Sequence, residues 1–184
     1  MIKKVAVIGP ESTGKSTLCR QLASHYQTQW VPEYAREYLT IRGSAYTYDS
    51  LLEIAKGQLA SEDQYSSTLA RTASHSPRTT HPGLLFIDTE MYVMKVWSEF
   101  VFGKCHQWII DKIVERKYDL YLLCNVDLPW APDVLREYPD PGPRMQLFRI
   151  YHDIMINQST PWTVISGDYD ERLQSAIDAI NTTL

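Results

Sequence analysis

The sequence predicts an α/β fold in which a parallel β-sheet is flanked by crossover helices around one phosphate-binding loop. Three observations carry this. Short β-branched or apolar runs alternate with longer stretches of helical periodicity, the order that sets parallel strands side by side with helices between them. Gly9-Pro10-Glu11-Ser12-Thr13-Gly14-Lys15-Ser16 fits G-x-x-x-x-G-K-[ST], and it follows a strand-like run and opens a helix-like one, the context the motif requires. The 184 residues, 44% apolar and 22% charged, suit one globular domain, which buries roughly 70% of its unfolded surface.

The elements follow in order. The apolar, valine-containing run at 4–8 predicts the first strand. A helix is expected over 15–26, where Leu18, Leu22 and Ala23 share a face and Gly14 stands where the backbone turns tightly. A short strand at 29–31 and a helix near 33–41 come next. A long helix runs from 49 to about 74, with Leu51, Ile54, Ala55 and Leu59 as its buried stripe. A strand at 84–87 precedes helices at 90–102 and 106–117. A strand at 120–124, a helix at 144–158, a strand at 163–165 and a helix at 170–180 complete the chain. Two segments break this rhythm. Residues 75–83, rich in Ser, Thr, His and Pro, read as a surface loop. Residues 129–143 hold five of the ten prolines beside Trp130, Asp133, Arg136 and Arg144, and a loop of that length and chemistry predicts a functional lid.

Lys plus Arg is 18 against 22 Asp plus Glu, a net charge of −4, which argues against a partner bound through a broad basic face such as nucleic acid. A small anion is not excluded, because a pocket can be positive in an acidic protein. No apolar run approaches the roughly 20 residues of a membrane span. The four apolar residues before Gly9 and Pro10 are too few for a signal-peptide core, so a cytoplasmic location is expected. Cys19, Cys105 and Cys124 are widely spaced with no C-x-x-C; they predict reduced packing residues rather than a disulfide or zinc site.

The 9–16 motif carries the chemistry. Gly9 and Gly14 let the backbone wrap a phosphate, with the N–H groups of Glu11, Ser12, Thr13 and the first helical turn through Thr17 around it. Lys15 reaches the β- and γ-phosphates and the Ser16 hydroxyl ligates Mg²⁺. The run at 84–88 ends in Asp88, as expected of a strand beside the phosphate-loop strand that brings a carboxylate to the metal; an N-cap for the next helix is the alternative. Asp88-Thr89-Glu90 lacks the adjacent Asp-Glu of motor ATPases, and no second subdomain is signalled, so transfer is expected over hydrolysis. Asn125-Val126-Asp127 is not N-K-x-D, which leaves ATP as the default donor. The loop at Gly167 is expected along the adenine, or as a simple left-handed turn.

A kinase must also hold an acceptor, take its proton and exclude water. Glu33 lies at a strand's C-terminal edge, facing the phosphate site, and is the candidate base or hydroxyl ligand; a first-turn acid offsetting a helix dipole is the alternative. Arg36 is placed to neutralise phosphate or to pair with Glu33 or Glu37. Arg136 and Arg144 are the candidate lid arginines that stabilise charge in the transition state, with solvated surface arginines as the alternative.

Gly-Pro-Glu-Ser-Thr-Gly-Lys-Ser-Thr at 9–17, Val-Pro-Glu-Tyr-Ala-Arg-Glu-Tyr-Leu at 31–39, Phe-Ile-Asp-Thr-Glu at 86–90, and Asp-Leu-Pro-Trp-Ala-Pro-Asp at 127–133 with Leu-Arg-Glu at 135–137 together resemble the NadR-type nicotinamide riboside kinase domain. The resemblance runs from about residue 2 to about residue 173, with four motifs in the right order. It implies ATP-dependent phosphorylation of the riboside 5′-hydroxyl to the mononucleotide, in NAD salvage. It also implies the P-loop NTPase fold of nucleoside kinases: three α/β/α layers, a five-stranded parallel sheet of order 2-3-1-4-5, and a lid at about 127–144. Lys15, Ser16 and Asp88 match its phosphate and magnesium residues, Arg136 its lid, and the 127–130 segment its riboside pocket. The nicotinamide ring is a cation, which favours an aromatic face such as Trp130 or Tyr34 and a carboxylate such as Asp127 or Glu33. Trp130 as a loop anchor stays open. No H-x-G-H occurs, and 184 residues are expected to form this one kinase domain without adenylyltransferase or repressor parts.

The expected function is therefore an ATP- and Mg²⁺-dependent kinase acting on nicotinamide riboside or a related riboside, with no nucleic-acid or membrane partner and no oligomeric state assigned. The alternatives are a kinase for another nucleoside or nucleotide, or a module whose lid is ordered by nucleotide to bind a partner with little turnover.

Overall fold

A computed structural model describes residues 2–73 and 83–184. The loop expected at 75–83 lies outside the described residues except for Gly83. The elements are β1 (Lys3–Ile8), α1 (Lys15–His25), β2 (Gln29–Val31), α2 (Tyr34–Arg42), α3 (Tyr48–Ala73), β3 (Leu84–Asp88), α4 (Met91–Phe102), α5 (Gln107–Glu115), β4 (Leu120–Cys124), α6 (Pro141–Ile156), β5 (Trp162–Ile165) and α7 (Tyr169–Thr183). The strands form one parallel sheet in the order β2-β3-β1-β4-β5, as the resemblance implied. Val5 is in register with Phe86 on one side and Leu120 on the other, so β1 is central and buried on both faces, which a parallel sheet covered by helices requires.

The period of two along β1 divides the core. Val5 and Val7 pack with Leu18 and Leu22 of α1, Phe86, Leu122 and Ile180 of α7. Ala6 and Ile8 pack on the other face with Val96 of α4 and Leu147, Tyr151 and Met155 of α6. A third cluster joins Leu39 of α2, Leu51 and Ile54 of α3, Met94 of α4 and Ile109 of α5. This last cluster builds a wall beyond the C-terminal ends of β2 and β3, where an α/β sheet binds its ligands.

Helix boundaries moved in two informative places. α6 begins at Pro141 rather than 144, with proline in its first turn, where a missing N–H costs nothing and φ is already helical. Arg144 therefore stands one turn inside the helix rather than at its start, and the irregular lid ends at Asp140. Glu33 is the N-cap of α2 and not its first residue. α7 starts behind Asp168, whose carboxylate accepts from the N–H groups of Asp170 and Glu171 at 3.0 Å each in a full capping box. Among the described residues no helix is long and apolar enough to cross a membrane.

Candidate active site

The phosphate loop joins the central strand to α1, and its backbone explains its sequence. Gly9 has φ 135°, and a Cβ there would stand 2.7 Å from the Cys124 carbonyl oxygen of β4. Gly14 caps α1 at φ 79°. Ser12, although not glycine, is also left-handed at φ 56°, a local strain held by the surrounding contacts. Thr13 Oγ1 and Lys15 Nζ both donate to the Pro10 carbonyl, at 2.7 and 2.8 Å. The N-terminus of α1 has no side-chain cap and no acid in its first turn, so its N–H groups and dipole are left for an anion.

Asp88 ends β3 next to this loop. It is 0% exposed, and neither carboxylate oxygen has a hydrogen-bond partner. Burial, then the charge of Glu33, push its pKa up to about 7, opposed by Lys15 and the Ser16 hydroxyl. The N-cap alternative for Asp88 falls, because Glu90 caps α4 by accepting from the Tyr92 N–H at 2.9 Å. A bare buried carboxylate beside a hydroxyl is a set of hard oxygen donors, and it fits a divalent cation such as Mg²⁺ that also takes phosphate oxygens and water. Between Asp88 and Glu90, Thr89 is left-handed at φ 76°, and its hydroxyl donates to Glu33 Oε1 at 3.4 Å.

The cleft above these groups is lined by residues 9–17, by Glu33, Arg36 and Leu39 of the β2–α2 segment, by Val93, Trp97 and Phe100 of α4, and by Arg136, Glu137 and Tyr138 of the lid. One end is the phosphate loop. The other is aromatic: Trp97 Nε1 donates to the Tyr46 hydroxyl at 2.9 Å, and that hydroxyl donates to Glu137 Oε2 at 2.8 Å. Tyr138 meets Phe100 edge to face at 5.2 Å. Glu33 lines the cleft together with both ends, while Asp88 lies buried beside Glu33, Lys15 and Ser16 rather than on the cleft surface.

The expected site residues divide accordingly. Residues 9, 11–17, 33, 36 and 136 line the cleft. Arg36 also pairs with Asp133 of the lid at 3.0 Å. Arg136 reaches Ser12 Oγ at 3.4 Å and the Ala131 carbonyl. Arg144, 5% exposed, donates to the carbonyls of Ser12 at 3.2 Å and Leu128 at 3.3 Å, while its Nε has no partner. The pocket expected of Asp127, Trp130 and Tyr34 is not assembled. Asp127 is ion-paired with Arg172 and accepts from the Gly167 N–H at 2.7 Å, which places it with Gly167 at the edge of β4 and β5. Trp130 lies under the guanidiniums of Arg136 and Arg144 at 5.9 and 5.5 Å, so its ring steadies the lid arginines. The Tyr34 ring packs over Gly57 and borders a separate shallow groove between α2 and α3.

Three positioning groups escaped the sequence. Gln58 of α3, 1% exposed, accepts from the Tyr34 N–H at 2.7 Å and donates to the carbonyls of Pro32 and Asp88 at 3.4 and 3.3 Å. Arg172 of α7 donates to the carbonyls of Gly167, Thr13 and Asn125 at 2.8, 3.0 and 3.0 Å. Trp97 of α4 lines the cleft as an aromatic face. A buried Gln or Arg, or a half-buried Trp, on a helix carries no motif, and its sequence signal is the same as that of a core or surface residue.

Residues 4–172 match the family model described as an AAA domain. The chain is 26% identical over 184 aligned residues to the trifunctional NAD biosynthesis/regulator protein NadR of Escherichia coli (strain K12), and 26% to that of Salmonella typhimurium (strain LT2). These alignments cover 97% of this chain and 42% of the relatives, so the chain spans less than half of their length. A crystal structure of NadR protein in complex with NR superposes with a TM-score of 0.75 at 22% identity, covering 99% of this chain and 51% of that one. A second, in complex with NAD and AMP-PNP, gives 0.70 at 22% identity, covering 99% and 49%.

Proposed function

The chain belongs to the AAA-domain family, and from that premise we propose that it is an ATP-dependent kinase that phosphorylates the 5′-hydroxyl of nicotinamide riboside. The observation that carries the proposal is the buried, unpartnered carboxylate of Asp88 beside Lys15, Ser16 and Glu33, three residues that line one cleft with an aromatic, carboxylate-bearing wall. The similarity to NadR, solved with NR and with AMP-PNP, supports the same donor and acceptor.

The loop amides and the α1 dipole bind the donor phosphates, and Lys15 exchanges the Pro10 carbonyl for a phosphate oxygen. Ser16 and Asp88 would hold Mg²⁺, which would supply neutralisation of the phosphate charge. Glu33 accepts the proton of the acceptor hydroxyl as its oxygen forms the new bond to phosphorus and ADP leaves with the bridging electron pair. Arg136, beside Ser12, and Arg144 balance the charge spread over the transferring group. The positive ring of the acceptor suits the Trp97 face with Glu137 nearby, and the lid closes the reaction from water.

The test is ADP formation from MgATP with nicotinamide riboside, set beside no acceptor, adenosine, uridine and thymidine, with the mononucleotide identified by mass. Riboside-dependent ADP that disappears in Lys15→Ala is expected. No stimulation by nicotinamide riboside would overturn this acceptor, and faster transfer to a control nucleoside would replace it.

A further inference from the structure

Glu11 is an anomaly for a phosphate loop, since a carboxylate there repels the triphosphate that the loop exists to bind. Its place in the fold gives it other partners. Both carboxylate oxygens accept from the Glu137 N–H, at 2.9 and 3.1 Å, and Oε1 also accepts from the Tyr138 N–H. Ser12 repeats the pattern one residue on, its hydroxyl accepting from the Ala131 N–H at 3.0 Å. Two of the four free positions of the motif are thus bonded to the lid.

The two amides that Glu11 holds belong to the residues that reach the aromatic wall. Glu137 takes the Tyr46 hydroxyl, which takes Trp97 Nε1, and the Tyr138 ring rests on Phe100. An unbroken series of contacts therefore runs from Lys15 through the Pro10 carbonyl and Glu11 to the lid backbone and the acceptor wall. We infer that Glu11 is a positioning residue that joins the donor loop to the acceptor wall, so that nucleotide and acceptor each strengthen the binding of the other. The joint is charge-assisted, which makes it stronger than a neutral contact, and it is only half-buried, so it can be altered without cutting into the core. Reciprocity follows from linkage: whatever factor the nucleotide adds to acceptor affinity, the acceptor adds to nucleotide affinity. The acceptor half rests on the kinase reading above; the joint itself does not.

Hydrogen exchange of the full chain, with and without Mg-AMP-PNP, tests the joint without any acceptor. In the wild type, nucleotide is expected to slow exchange in the phosphate loop, in 135–138, and in the 43–47 segment that carries Tyr46. In Glu11→Ala the loop response should remain while the response at 135–138 and 43–47 is lost, with Glu11→Gln between the two. A wild-type-sized response at the wall in Glu11→Ala, or none in the wild type, overturns the inference. Loss of nucleotide binding in both variants would make Glu11 part of the phosphate site and overturn it as well. In turnover, Glu11→Ala should raise KM for nicotinamide riboside about tenfold, with kcat at saturation changed less than about threefold. Equal losses in KM and kcat would point to a general disturbance of the site. Failure of the wild type to phosphorylate the riboside would sink the kinase reading, and the exchange data would still decide the role of Glu11.

Discussion

Replacing Asp88 by Asn should stabilise the metal- and nucleotide-free protein at pH 8 while abolishing transfer. The Asp88 carboxyl is raised from 3.8 to about 7, so between those values the folded state binds more protons than the unfolded state and stability falls as pH rises. The penalty is absent below about pH 3.8 and complete above about pH 7. The upward shift of a fully buried group makes this a cost of the order of a few kcal/mol. Asn carries no charge and removes that cost. At about 2–4 °C per kcal/mol for a chain of this size, the variant should melt several degrees above the wild type at pH 8, with the difference shrinking toward pH 4. Transfer should fall by about 10³-fold or more, as expected for loss of a metal-binding carboxylate. Thermal melts from pH 4 to 8, with chelator present, read the first part and ADP release reads the second. A variant that melts at or below the wild type at every pH would refute the claim that Asp88 is a strained anion awaiting a cation.

Three further outcomes are expected. Glu33→Gln should lower kcat by about 10²-fold with little change in nucleotide affinity if Glu33 takes the acceptor proton, and it should also relieve part of the pH 8 penalty, since the Glu33 charge helps to raise Asp88; both are read by kinetics and melts. Arg172→Met should cost about 3–5 kcal/mol in denaturant unfolding, because it strips a guanidinium that is 2% exposed from three carbonyls and Asp127. Trp97→Leu should raise the KM for the riboside by about tenfold or more, whereas Trp130→Leu should act on kcat through Arg136 and Arg144; riboside saturation curves separate the two.

The sheet and the donor half of the cleft were legible because their rules are local. A glycine at φ 135° pressed against a carbonyl, an uncapped helix and a lysine at fixed spacing leave a motif, and a strand of five buried residues ending in Asp88 leaves an apolar run. The aromatic wall of the cleft was not legible, since it is assembled from side chains far apart in sequence. Trp97 and Phe100 stand on one stripe of α4 with the same spacing as core residues, and Tyr46 sits in a connection with no signature. Asp127 and Trp130 drew attention through their motif, yet Arg172, 45 residues from Asp127, determines what Asp127 does. Proline misled in the lid: Pro141 and Pro143 looked like loop residues and instead occupy the first turn of α6.

Gln58 sets a length. Its one amide presents an oxygen to the Tyr34 N–H and a nitrogen to the Pro32 and Asp88 carbonyls, so the ends of β2 and β3 are pinned to a single rigid planar group, and neither a carboxylate nor a flipped amide can take its place. Glu33 and Asp88 ride on those two ends. Two anions that repel one another are thereby held at a fixed gauge by an uncharged spacer, and the strands cannot drift apart to relieve them. The base and the metal-binding carboxylate thus share one support, and a change at Gln58 would reach both.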